Sequence, residues 1–358
     1  MKIFTLRLIF LSLVVILHLT LMNTAKANHN VACTAGVNAP AGTTGTVNLG
    51  NALTVNNLES ASITVPVNIR CTNSGTSAAN ITVCLATDGG DYINNAIEPR
   101  FLRTGANPPR LAFQMTLPNS NFWSSRTYHG INTEYYTGII PIAVRNSATN
   151  ARVENRSFNL VVSLLPGYGN NLAAPGTYFN DFGNGNHTSL TFLSAHTNVN
   201  LANYDCRPGA QGTVRFPFRI QATVIGNCTV NTSSDVNLGS HVAGTTNIAG
   251  NNSSAINVTC TQNLPYRIGL LPSNASQTGA GVMRGTGINT DSIPYQLRSA
   301  TGANGAIWGN TATATTTGNG ISRTGTGANQ LIPVYVTVPN TNVTPDDYSD
   351  TVTIRVHY

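Results

Sequence analysis

The chain has 358 residues, room for two domains of ordinary size, and 41% of them are hydrophobic against only 9% charged. Its formal net charge of +6 falls by three, to +3, once residues 1–27, which hold Lys2, Arg7 and Lys26 and no acid, are set aside. So small a charge, on arginines that are scattered rather than clustered, argues against nucleic-acid binding.

In chain order, Lys2 and Arg7, an apolar run from Leu8 to Leu21 and the small-residue site Ala25-Lys26-Ala27 read as a secretory signal over 1–27. The apolar run is too short for a membrane anchor. All the cysteines, Cys33, Cys71, Cys84, Cys206, Cys228 and Cys260, follow that site, and in an exported chain they read as disulfides. No stretch beyond the signal reads as a long helix. Short runs of Val, Ile, Thr, Phe and Tyr alternate with clusters of Gly, Asn, Ser and Pro, which predicts an all-β chain of sandwich domains.

Two halves of the chain repeat the same features in the same order. Cys33, then Val47-Asn48-Leu49-Gly50, then the alternating run Ile63 to Cys71 correspond to Cys228, Val236-Asn237-Leu238-Gly239 and Ile256 to Cys260. Arg103-Thr104-Gly105 with Leu111 to Met115 answers Arg284 to Gly287 with Ile293 to Leu297. Trp123 answers Trp308, and Tyr178 with Asp181 answers Tyr348 with Asp350. The repeat narrows the disulfides to Cys33 with Cys71 and Cys228 with Cys260, leaving Cys84 with Cys206 by elimination.

Between the halves lies Thr213 to Cys228, where Val214, Phe216, Phe218, Ile220, Ala222 and Val224 fall on every second residue. At about 3.3 Å per residue, Val214 to Val224 spans roughly 36 Å, about twice a usual strand. Pro217 has no N–H for a ladder, so the run is expected to break there. Its first half, through Phe218, is expected to finish one domain (28–218), and its second half, from Arg219, to open the next (219–358).

The copies also differ. The stretch after Trp123 has room for an extra hairpin, GIIPIAVRNSATNARVENRSFNLVV, and after Tyr178 the first copy continues through a long segment to Cys206. The second copy has nothing comparable after Tyr348 and is expected to lack a strand. No Gly-x-Ser-x-Gly, His-Glu-x-x-His or P-loop occurs, so an enzyme is unsupported. Asp88 and Asp91 around Gly89-Gly90 are few carboxylates for a calcium site, and no cofactor is expected.

The order of cysteine, Val-Asn-Leu-Gly, second cysteine, Arg-x-x-Gly turn, x-Tyr-x-Leu strand, Trp-Gly and a closing Tyr-x-Asp with VTIRVHY resembles the spore coat protein U domain. Ile225 to Tyr358 matches closely; the first half matches more loosely, with Ser124 where the second has Gly309. Members of that family include subunits of archaic chaperone-usher pili. The resemblance implies two immunoglobulin-like β-sandwich domains in tandem, the second incomplete and needing a donated strand. It implies as partners a periplasmic chaperone, an outer-membrane usher, a further pilin subunit through donor-strand exchange and an abiotic or host surface. The place implied is the cell surface, at a pilus tip. Val352, Ile354, Val356 and Tyr358 would border the acceptor groove and meet the chaperone. After cleavage only Asn28 to Ala32 precede Cys33, too few for a donor segment, so a tip adhesin is expected; the alternatives are a polymerising pilin or coat subunit and a carbohydrate-binding module.

For surface binding, loops opposite the seam are the candidates. By strand parity these are the turn after Cys71, Pro118 to Tyr136, and Asp181 to Cys206. Phe122, Tyr128, Ile131, Tyr135 and Tyr136 are expected to form an exposed apolar patch, whereas Trp123 is assigned to the core because Trp308 recurs. Tyr168 and Leu172, in the Gly-flanked loop Pro166 to Gly176, are further candidates, placed by parity at the seam end.

Overall fold

The computed structural model describes residues 30–92, 97–105, 110–125, 133–134, 136–147, 149–184, 187–201 and 211–358. The expected signal, Tyr128, Ile131, Tyr135 and Cys206 lie outside them. The described residues form two immunoglobulin-like β-sandwich units, with two short 3-10 turns at Gly90–Tyr92 and Asn170–Leu172.

Strands of the first unit are β1 (Val31–Val37), β2 (Gly45–Asn48), β3 (Ser62–Asn73), β4 (Ala79–Thr87), β5 (Arg100–Arg103), β6 (Arg110–Thr116) and β7 (Phe122–Trp123). They continue with β8 (Thr133–Glu134), β9 (Tyr136–Ile142), β10 (Arg152–Leu164), β11 (Gly176–Asp181), β12 (Thr188–His196), β13 (Gln211–Val214) and β14 (Phe218–Val224). One sheet runs β1-β3-β10-β6-β5-β11-β14-β2, and the other β13-β12-β4-β9. The second unit contains β15 (Cys228–Ser233), β16 (Thr246–Cys260), β17 (Pro265–Leu271), β18 (Ala280–Arg284), β19 (Ser292–Arg298), β20 (Ile321–Thr324), β21 (Asn329–Asn340) and β22 (Thr353–His357). Its sheets run β15-β16-β21-β19-β18 and β20-β17-β22.

Strand by strand the units correspond. β10 lies between β3 and β6 as β21 lies between β16 and β19, and β12 pairs with β4 as β22 pairs with β17. Cys33 and Cys71 face each other in register and are disulfide-linked, as are Cys228 and Cys260; Cys84 is disulfide-bonded too. Trp123 donates its indole N–H to Leu85 O at 2.8 Å, and Trp308 to Ile268 O at 2.9 Å, both rings fully buried. Tyr178 and Tyr348 each donate their hydroxyl to the carbonyl four residues upstream, at 2.8 and 2.7 Å. Such tyrosine-to-backbone bonds fix the corner where a chain enters a strand.

Two expectations are corrected. The stretch that follows Trp123 is no extra hairpin: β9 joins β4 in one sheet and β10 joins β3 in the other, and β20 and β21 repeat that placement. The alternating run around Pro217 does break there, but both pieces stay in the first unit. β13 pairs with β12, Phe216 remains buried, and β14 then crosses to the opposite sheet between β11 and β2. Ile220, Ala222 and Val224 belong to the first core, so the cores part between Val224 and Cys228 rather than after Phe218. Proline removed one ladder bond and let the strand change sheets; it did not end the domain.

At the junction, Asn171 Nδ2 donates to Gly327 O at 3.1 Å, and a β-carbon at Gly327 (φ 69°) would collide with the Asn171 backbone. Only glycine adopts that conformation and permits that approach at low cost.

Candidate functional site: an open groove and a distal tip

In the first unit, Phe216, Phe218, Ile220, Ala222 and Val224 fill the space between the sheets, each at most 2% exposed. Phe218 stacks on Phe182 with ring centroids 4.5 Å apart, and Phe216 stacks on Trp123 at 5.8 Å. β14 runs antiparallel to β11 and parallel to β2, completing the sandwich with a segment of the same chain.

The second unit carries a groove of ≈ 1260 Å³ at the corresponding place. Ile248, Ile293, Leu297, Val334, Val336 and Val338 form its apolar floor, and residues 233–243 and 343–352 its rims. Val236-Asn237, which repeats Val47-Asn48 of β2, lies on one rim in no strand, and among the described residues nothing pairs with the outer edge of β22. An apolar cleft beside an unpaired strand edge offers main-chain hydrogen bonds along its length and pockets for alternate side chains of an extended peptide.

Polar contacts hold the rims. Asp346 accepts from Thr286 N at 2.8 Å, Thr286 Oγ1 at 2.6 Å and Asn289 Nδ2 at 2.7 Å, which keeps its carboxyl well below the usual carboxylate range. Tyr295 donates its hydroxyl to Asp350 at 2.6 Å, and burial, reinforced by that carboxylate, pushes the phenol above its ordinary value. Val352, Ile354 and Val356 are half-buried against the second core; Tyr358 is exposed and donates to Asn227 Oδ1 at 3.2 Å.

The end of the first unit opposite the junction is defined by Asn73 pairing with Val31 and Arg152, and by Ala79 pairing with Ile142 and His196. Turns at 74–78 and 197–200 and the segments 143–147 and 149–151 meet there, with Ile139, Val144, Val153 and Val199 exposed around them. The two turns were expected at this end. The segment Pro118 to Tyr136 was also, but its described ends lie partway down, where Phe122 pairs with Thr116 and Tyr136 with Leu85.

Tyr136 is not an exposed patch residue: its ring stacks on Phe158 at 3.9 Å and packs on the core. Phe122 is half-buried. Tyr168 and Leu172 are exposed, on the loop whose Asn171 meets Gly327 at the junction. The exposed apolar residues at this end that the sequence reading does not name are Ile139, Val144, Val153 and Val199. Alternation through GIIPI, with Ile140 and Ile142 inward, puts Ile139 on the outward parity; Val144 shares the inward parity and is exposed because β9 ends at Ile142.

Asp88 and Asp91 clasp a histidine: His187 Nδ1 lies 2.9 Å from Asp88 and Nε2 lies 3.2 Å from Asp91. Among the described residues no cluster of three or more His, Cys, Asp or Glu side chains could hold a metal ion.

Residues 214–355 match the family model of the Spore Coat Protein U domain. No curated protein matches the chain in sequence. Among solved structures it is similar to a chain of the CsuC–CsuE chaperone–tip adhesion subunit pre-assembly complex from archaic chaperone-usher Csu pili of Acinetobacter baumannii. That likeness has 12% identity, a TM-score of 0.47, and covers 91% of this chain and 100% of that one. The CupB6 tip adhesin of Pseudomonas aeruginosa is similar at 10% identity and TM-score 0.31, over 92% of this chain and 95% of its own. CfaE, the adhesive subunit of CFA/I fimbria of enterotoxigenic Escherichia coli, is similar at 10% identity and TM-score 0.30, over 88% and 92%. At these identities the likenesses concern the fold. The likeness to the spore coat protein U domain thus falls on the second unit and on the strands just before it, from Val214 to Arg355.

Proposed function

We propose that this protein is the tip adhesin subunit of an archaic chaperone-usher pilus, attaching cells to surfaces and so promoting biofilm. The observation carrying this reading is the contrast between the units: one is filled by its own β14, the other is open at the same position. A unit closed within its chain needs nothing from a neighbour and is free to bind, while the open unit takes a strand from the next pilin subunit. Before assembly the groove and the outer edge of β22 belong to the periplasmic chaperone, which passes the subunit to the outer-membrane usher. The chain is accordingly exported through the periplasm to the cell surface, and its role is adhesive rather than enzymatic. Attachment is assigned to apolar side chains at the distal end of the first unit.

The test compares the whole chain with a truncation at Ile225, each expressed in the periplasm with and without the cognate chaperone. The truncation is expected as a soluble monomer alone, and the whole chain only together with the chaperone. A whole chain that is monomeric without a partner defeats the proposal and favours a free-standing coat or carbohydrate-binding protein.

A further inference from the structure

The outer face of the first unit's larger sheet carries an unusual row. Arg110 faces Arg103, Arg103 faces Phe179, Phe179 faces Gln221, and Gln221 faces Asn48, in unbroken register across β6, β5, β11, β14 and β2. Leu102 and Leu111, one residue along on β5 and β6, are fully buried in the core, so both arginines project outward. Like charges directly opposite each other across a strand pair destabilise a sheet. Neither arginine has an ion pair among the described residues. Instead each guanidinium rests on an aromatic ring, Arg110 at 3.8 Å from the centroid of Phe101 and Arg103 at 4.9 Å from that of Tyr92. Cation–π seating leaves the N–H edges free to bind. The Nε of Arg103 is buried and has no hydrogen-bond partner.

We propose that this face binds an acidic polysaccharide: the Arg103–Arg110 pair takes a sugar carboxylate, the Phe179 ring, which carries the Arg219 guanidinium at 4.9 Å, is the apolar step beside that pair, and Gln221 and Asn48 meet hydroxyls further along. Charge complementarity selects the anion, because a carboxylate between the two guanidinia removes their repulsion and accepts in a fork geometry. Of the acids nearest the row, Asp181 is engaged by Arg219 at 2.6 Å, and Asp91 lies 3.2 Å from His187 and accepts from Asn184 Nδ2 at 3.3 Å. Length selects a polymer over a single anion: five strands at about 4.8 Å spacing give a row of roughly 19 Å. This face is distinct from the apolar tip and from the groove, and the inference does not depend on the pilus reading.

The experiment is biolayer interferometry of the full chain on immobilised polygalacturonate and on neutral dextran, at rising salt. Polygalacturonate is expected to retain the protein and dextran not, with affinity falling as salt rises. The double substitution Arg103→Gln with Arg110→Gln is expected to weaken binding at least about tenfold while the melting temperature holds or rises, since a like-charge pair is removed. Phe179→Thr, a strand-compatible change in the middle of the row, is expected to weaken binding as well, and decides the matter should the double variant melt lower. Equal retention on both polymers, or undiminished binding by either folded variant, overturns the proposal. A negative result here leaves the chaperone test untouched.

Discussion

Ile220 and Val47 face each other across a parallel strand pair, both fully buried. Val236, the repeat counterpart of Val47, lines an open groove instead. The closing strand is therefore an energetic component of the first unit rather than a linker. Phe218→Ala, at its fully buried start, is expected to destabilise that unit by about 3–5 kcal/mol. Chemical denaturation checks this; a loss under about 1 kcal/mol contradicts the assignment of β14 to the first core.

Since the units share their strand order, the strand that closes one is expected to suit the other. Appending a copy of residues 213–224 after Tyr358 through a flexible linker places FRIQATV within reach of the groove. The copied strand is expected to bury its apolar side chains in the groove and to pair its main chain with the groove's edges. The expected outcome is a rise of a few degrees in the melting temperature of the second unit by calorimetry. The same extension with Asp in place of the copied Ile220 is expected to give none.

Two-fold alternation and the repeat made most of this fold legible beforehand, because both record which side chains face a core. The cysteine pairs, the buried tryptophans and the missing strand all followed from residues aligned between copies. What alternation cannot reveal is which sheet a strand joins. Val214 to Val224 keeps its parity while crossing from one sheet to the other at Pro217, so the domain limit was set one strand too early. Aromatic residues misled in the same way at Tyr136, where stacking on Phe158 consumes a ring that its loop-like neighbourhood suggested was free. The arginine row escaped notice because its members are far apart in sequence and meet only through register.

Tyr295 and Asp350 supply a pH test. The phenol is raised in the folded state, so its contribution is complete below its unfolded pKa of about 10 and is lost as pH climbs from there toward the folded value. Wild-type stability is therefore expected to decline above about pH 10. Tyr295→Phe is expected to cost roughly 1–3 kcal/mol at neutral pH and to flatten that decline. Paired denaturation curves at neutral and alkaline pH read both effects.

Arg100 is fully buried, and burial lowers its guanidinium to about 9, so it stays charged at neutral pH. Its donors reach Asp88 O at 2.9 Å, Gln114 Oε1 at 2.6 Å and Thr87 O at 3.3 Å, together with the carbonyls of Ile97 and Trp123. Hydrogen bonds from a charged donor contribute about 1.5–3 kcal/mol each, and truncation strands several acceptors at once. Arg100→Met is expected to cost at least about 3 kcal/mol by denaturation, with Trp123 fluorescence shifting as its carbonyl is released.

Attachment distinguishes the two exposed apolar sets. Ile139, Val144 and Val199 sit at the distal end, 44–49% exposed, whereas Tyr168 and Leu172, 54% and 51% exposed, sit beside the junction with the second unit. Removing any of these side chains leaves no cavity, so stability is expected to change by no more than about 0.5 kcal/mol per site. A surface approached by a pilus tip meets the distal end first. The triple change to Ser at Ile139, Val144 and Val199 is therefore expected to reduce bacterial attachment to polystyrene several-fold and to leave attachment to clean glass unchanged. Ser at Tyr168 and Leu172 is expected to leave both unchanged. Static attachment assays on cells with equal pilus counts decide between them: loss with the second pair alone would move the adhesive surface to the junction, and loss with neither would remove apolar contact as its basis.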